Sequence, residues 1–107
     1  MPRQSTKSSA KKTKRSRNGW QKATFKIVNK AGLHTRPAAA FVRLAQKFPA
    51  QIDVYKGKFR VDGKSILNLL SLGAKKGNAI TVAAKGIHAK EALQALGELI
   101  KDGFYEE

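Results

Sequence analysis

The sequence predicts an α+β domain in which one antiparallel sheet is covered on a single side by helices. Segments of strand-type alternation and helix-type spacing succeed one another as strand, helix, strand, strand, helix, strand, helix. Each helical segment is apolar along one stripe and each strand on one face. One layer of helices over one sheet therefore buries every apolar side at once. Lys56-Gly57-Lys58 joins the second and third strands as a hairpin turn, which favours antiparallel pairing.

The first strand is expected from Thr24, with Phe25 and Ile27 on one face and Lys26 on the other, ending in the turn Asn29-Lys30-Ala31-Gly32. A helix from about Arg36 to Lys47 places Ala38, Phe41, Val42, Ala45 and Phe48 at helical spacing, and Pro49 stops it. Gln51 to Tyr55 and Phe59 to Val61 form the hairpin strands. A short helix follows from Ser65 to about Leu70, with Ser65 as a natural N-cap and Ile66, Leu69 and Leu72 read as core. After the turn Lys75 to Asn78, Ala79 to Lys85 alternates as the last strand. The final helix, about Ala89 to Asp102, turns Ala92, Leu93, Leu96 and Ile100 inward; Gly103 ends it and His88 caps its start in solvent.

At 107 residues the chain has room for one compact domain, and no internal repeat or second domain is visible. It has no cysteine, so neither a disulfide framework nor a thiolate metal site is available, and a reducing interior is the natural setting. No run approaches the roughly 20 apolar residues of a membrane span, and the basic N-terminus lacks the apolar centre of a secretory signal. A cytoplasmic location without membrane insertion is the expectation.

The net charge of +15 is unevenly spread: residues 1–22 carry eight of the 22 basic side chains and none of the seven acidic ones. Met1 to Asn18 has almost nothing to bury, so residues 1–22 are expected to be a disordered basic extension ahead of a domain at 23–107. Such an extension either solubilises the chain or meets a polyanion by phosphate neutralisation. Trp20 reads as a packing residue where extension and domain join.

The candidate site is Gly32-Leu33-His34-Thr35-Arg36-Pro37-Ala38-Ala39-Ala40. It places a histidine at a helix N-terminus, where the first N–H groups lack intrahelical partners and the helix dipole favours an anion. Arg36 adds a positive charge, Gly32 permits a tight turn, and Pro37 suits the first helical turn. Neutral imidazole is a nucleophile near neutral pH without a general base, its unperturbed pKa being about 6.5. The arrangement suits reversible capture of a phosphoryl group on His34. No Gly-rich phosphate loop, nucleotide site or carboxylate cluster for a metal accompanies it, so no cofactor is expected and the transfer needs partners at both ends.

Gly32 to Ala38 resembles the active-site loop of HPr, the histidine-containing phosphocarrier family of the bacterial phosphotransferase system. Gly63-Lys64-Ser65-Ile66-Leu67-Asn68-Leu69-Leu70-Ser71-Leu72-Gly73-Ala74 is similar to that family's second signature. The resemblance implies an open-faced β-sandwich of four strands and three helices. It further implies that phosphate comes from phosphoenolpyruvate by way of enzyme I, sits on Nδ1 of His34 and passes to enzyme II A components for sugar uptake. The chain is then a carrier and not an enzyme. Arg36 would stabilise the phosphate, while Leu67 and Leu70, with Thr35, Arg36, Arg43 and Lys64, would form the docking patch. Ser65 falls where many members are phosphorylated by an HPr serine kinase/phosphorylase. Within the family, a carrier in a nitrogen-related or regulatory chain is the alternative. Outside phosphate carriage, a regulatory binding module on the same fold or a small basic nucleic-acid-binding domain is the other reading, the latter requiring aromatic residues and a basic stripe on the exposed sheet face.

Overall fold

A computed structural model describes the backbone of Lys14–Arg15 and residues 19–106. The elements are β1 (Lys14–Arg15), β2 (Gln21–Lys26), α1 (Thr35–Ala45), β3 (Gln51–Lys56), β4 (Phe59–Asp62), α2 (Ile66–Ser71), β5 (Ala79–Lys85) and α3 (Ala89–Lys101), followed by a 3₁₀ turn at Gly103–Tyr105. All strand pairings are antiparallel, in the order β1-β2-β5-β3-β4. The four expected strands form the open-faced sheet, and α3 packs on β2 and β5 while α1 packs against α2 and α3.

The sheet face beneath the helices carries Ile52, Val54, Ile80 and Val82, which close on Phe41, Leu69, Leu96 and Ile100 with almost no solvent exposure. Gly97 lets α3 approach β2 closely, since a Cβ there would lie 2.6 Å from the Phe25 ring. This contact anchors the C-terminal helix, and with it the residues that follow, against the first long strand.

Three local expectations are corrected. The first strand begins at Gln21, because pairing of Gln21 and Lys22 with Ala84 and Ala83 is a backbone matter that needs no apolar alternation. Lys14–Arg15, placed by sequence in a disordered extension, pair with Lys22 and Gln21 on the outer edge of β2, whose free N–H and C=O groups accept any strand. The rest of that extension lies outside the described residues. Ile66 is 37% exposed, because α2 has only six residues and turns Leu69 inward.

Candidate functional site

The loop before α1 is clamped from below. Leu33 is buried and its N–H donates to the carbonyl of Ala74 at 2.9 Å, while Gly32 N–H donates to the carbonyl of Asn29 at 3.1 Å. Gly32 has φ +73°, and a Cβ there would come within 2.7 Å of the Ala74 oxygen, so glycine is required twice over. This fixes His34 as the N-cap of α1, in extended conformation, with its carbonyl accepting from Ala38 N–H at 2.9 Å.

Because His34 caps through its backbone and not its ring, the imidazole is free for other work. Thr35 and Arg36 supply the first helical N–H groups, which no intrahelical carbonyl can reach, and buried Pro37 takes the third position, where a donor would be orphaned anyway. Arg36 is exposed. Together with Lys30 and Arg43 it lines a cleft of about 640 Å³ that also holds His34 and Glu106.

Glu106 is the residue that sequence reading missed. Its carboxylate receives the His34 ring at Nε2, with Oε2 at 3.1 Å and Oε1 at 3.2 Å. Asn29, buried beneath, donates from Nδ2 to Glu106 Oε1 at 3.0 Å and to the Gly32 carbonyl at 2.7 Å. The amide orientation follows, since only the nitrogen can serve two oxygen acceptors. Partial burial pushes the Glu106 carboxyl up, but the hydrogen bonds from Asn29 and His34 and the electrostatic attraction of His34 and Arg36 outweigh it and hold it below its ordinary value. The group facing His34 is therefore a carboxylate.

A carboxylate accepts and cannot donate, so the proton on the ring stands at Nε2. In the neutral imidazole the lone pair is then at Nδ1. The contact thus distinguishes the two ring nitrogens, which spacing along the chain could not. His34 keeps 40% of its side chain exposed.

The 3₁₀ turn brings Glu106 here. Gly103, Phe104 and Tyr105 all have positive φ, at 69°, 59° and 62°, and fold the chain back from the end of α3 while Phe104 is buried. No local pattern links Glu106 to a histidine 72 residues earlier. The Asn29 signal was present as a turn residue but carried no hint of its partner.

The remaining candidates separate by exposure. Thr35 and Arg43 are exposed, Leu67 is 78% exposed, and Leu70 is half-buried against the core. Lys64 points its Nζ at the carbonyl of Phe48 at 2.8 Å, near the C-terminus of α1. Ser65 caps α2, its Oγ accepting from Asn68 N–H at 3.2 Å. His88 stands at the start of α3 without a side-chain cap bond, its Nδ1 3.8 Å from Glu91 Oε1.

Residues 21–102 match the family model described as the PTS HPr component phosphorylation site. A phosphocarrier protein HPr of Neisseria meningitidis is 40% identical over 85 residues, covering 79% of this chain and 96% of that protein. A phosphocarrier protein HPr of Pseudomonas aeruginosa is 44% identical over 81 residues, covering 75% and 90%. Among solved structures, HPr from Thermoanaerobacter tengcongensis superposes with a TM-score of 0.77 at 46% identity, covering 80% of this chain and 97% of that one. An HPr from Bacillus anthracis gives 0.74 at 37% identity, covering 78% and 99%.

Proposed function

The chain belongs to the HPr family of phosphotransferase-system phosphocarriers, and on that premise we propose that His34 takes a phosphoryl group on Nδ1 from phosphorylated enzyme I and gives it to an enzyme II A component for sugar uptake. The observation that carries this reading is the Glu106 carboxylate on Nε2, which leaves the Nδ1 lone pair for phosphorus. In the transfer the Nδ1–P bond forms as the donor's bond to phosphorus breaks, and the Nε2 proton stays in its hydrogen bond to Glu106. The imidazolium so formed is matched by the carboxylate. The phosphoryl oxygens face the amides of Thr35 and Arg36 and the guanidinium of Arg36.

The family's members are carriers and not enzymes in themselves. Thr35, Arg36, Arg43, Lys64, Leu67 and Leu70 are the proposed docking patch, with exposed Leu67 as its apolar centre and basic side chains that attract an acidic partner. Ser65 is the regulatory position. A phosphate placed there by an HPr serine kinase/phosphorylase is tolerated by the N-terminus of α2 but repels an acidic enzyme I surface. A phosphoenolpyruvate-derived donor goes with a cytoplasmic location.

The test is incubation with phosphoenolpyruvate and enzyme I. One acid-labile, base-stable phosphate per chain is expected, and none on His34→Ala. Normal labelling of folded His34→Ala removes the assignment.

A further inference from the structure

The face of the sheet opposite the helices carries a second, chemically distinct surface. Along β2 and the residue before it, Trp20, Lys22, Thr24 and Lys26 share the parity opposite to buried Ala23. Lys85 on β5 and Tyr55 on β3 lie on the same side, since Ile80, Val82, Ile52 and Val54 take the other. Each aromatic ring there holds a lysine: Lys22 Nζ is 5.2 Å from the centroid of Tyr55, and Lys85 Nζ is 5.7 Å from that of Trp20. Arg60 on β4, opposite Tyr55, is 59% exposed on the same side.

Two acids share this face: Asp53, buried, pairs with Arg60 at 3.2 Å and offsets it, and Asp62 Oδ1 accepts from the backbone N–H of Lys64 at 2.9 Å. The cations of this face that lack an ion pair among the described residues are Lys22, Lys26 and Lys85. The short strand β1 lies at the edge next to Lys22, so the arm that carries cations and no acid joins the domain beside this face. A positive surface with aromatic rings in its midst matches a strand that offers phosphates and stackable bases together. Charge alone would suit any polyanion, whereas rings within the charge favour bases.

From this we infer that the open sheet face binds single-stranded nucleic acid, with phosphates on Lys22, Lys26 and Lys85 and bases against Tyr55 and Trp20. The site lies across the sheet from α1, so occupancy leaves His34 accessible. Trp20, the sole tryptophan, reports on it directly.

The experiment titrates the full chain with an oligouridylate of about 12 nucleotides, following Trp20 fluorescence and the anisotropy of a dye on the RNA. Saturable quenching of Trp20 is expected, with affinity falling steeply with salt. Lys22→Gln with Lys85→Gln should weaken binding at least about tenfold, in line with losing two phosphate contacts, and Tyr55→Ala should weaken it too. Phosphoryl acceptance by these variants should stay normal, which shows that they fold. Equal binding and equal quenching by inorganic polyphosphate would reduce the surface to a charge effect and overturn the proposal. So would RNA binding without Trp20 quenching that the face variants leave unchanged, since the arm alone would then account for it. Absence of binding, or preference for duplex DNA or anionic vesicles, also overturns it.

Discussion

The carboxylate of Glu106 meets Nε2 of His34 at 3.1 Å and is held there from below by Asn29. This contact joins the end of the described chain to the loop before α1, and it sets the ring proton on Nε2. Replacing Glu106 with Ala removes that constraint and leaves the core untouched, because Glu106 follows the buried Phe104. We expect ¹⁵N spectra of neutral His34 to shift from the Nε2–H form toward a mixture of tautomers, with phosphoryl acceptance several-fold slower. An unchanged tautomer in Glu106→Ala would show that another group holds the ring.

The same contact has a pH signature. The fold holds the Glu106 carboxyl below its ordinary value, so its stabilising contribution is complete above that ordinary value and is lost as pH falls through the folded one. The melting temperatures of wild type and Glu106→Gln should therefore differ at pH 6 and converge in acid. A difference that grows toward low pH would reverse the assigned direction.

Arg36→Ala should leave the melting temperature unchanged, since the side chain is exposed, and should slow transfer from enzyme I. One charge-assisted hydrogen bond is worth roughly 1.5–3 kcal/mol, or about 10- to 160-fold in rate. Rapid-quench kinetics with wild-type speed would remove Arg36 from the phosphate's surroundings.

Gly32→Ala tests the clamp beneath His34. With φ at +73° and the Ala74 oxygen 2.7 Å from the new Cβ, the variant should lose about 1–3 kcal/mol. Thermal unfolding reads this, and a stability equal to wild type would mean the loop moves freely off Ala74.

Ser65 and the leucines of α2 separate structure from docking. Ser65→Ala loses the bond to Asn68 N–H and should cost about 1 kcal/mol while accepting phosphate normally. Ser65→Asp should fold normally and accept it much more slowly. Leu67→Ala should weaken enzyme I binding with no change in melting temperature, Leu67 being 78% exposed. Calorimetric titration showing equal affinity for Leu67→Ala would move the patch elsewhere.

The site's near half was legible because its parts are neighbours in the chain: His34, Arg36 and Pro37 place a helix start near Arg36 by local sterics, one residue from the observed Thr35, and Ser65 announces its own cap. The far half was not. Glu106 reaches His34 only because Gly97 seats α3 on Phe25 and three left-handed residues then reverse the chain, a tertiary path that no periodicity reports. Helix and strand order followed from apolar spacing, whereas the extra turn of β2 at Gln21–Lys22 and the pairing of Lys14–Arg15 follow from backbone hydrogen bonds, to which side-chain pattern is blind. Ile66 turns outward against expectation because six residues of helix carry too little periodicity to orient a face.

The most direct measurement is a long-range ¹H–¹⁵N correlation on uniformly ¹⁵N-labelled protein before and after phosphorylation by phosphoenolpyruvate and enzyme I. The phosphoryl group should appear on Nδ1 of His34, with ¹⁵N–³¹P coupling at that nitrogen and the proton retained on Nε2 beside Glu106. Phosphorylation at Nε2, or on any residue other than His34, would contradict the account.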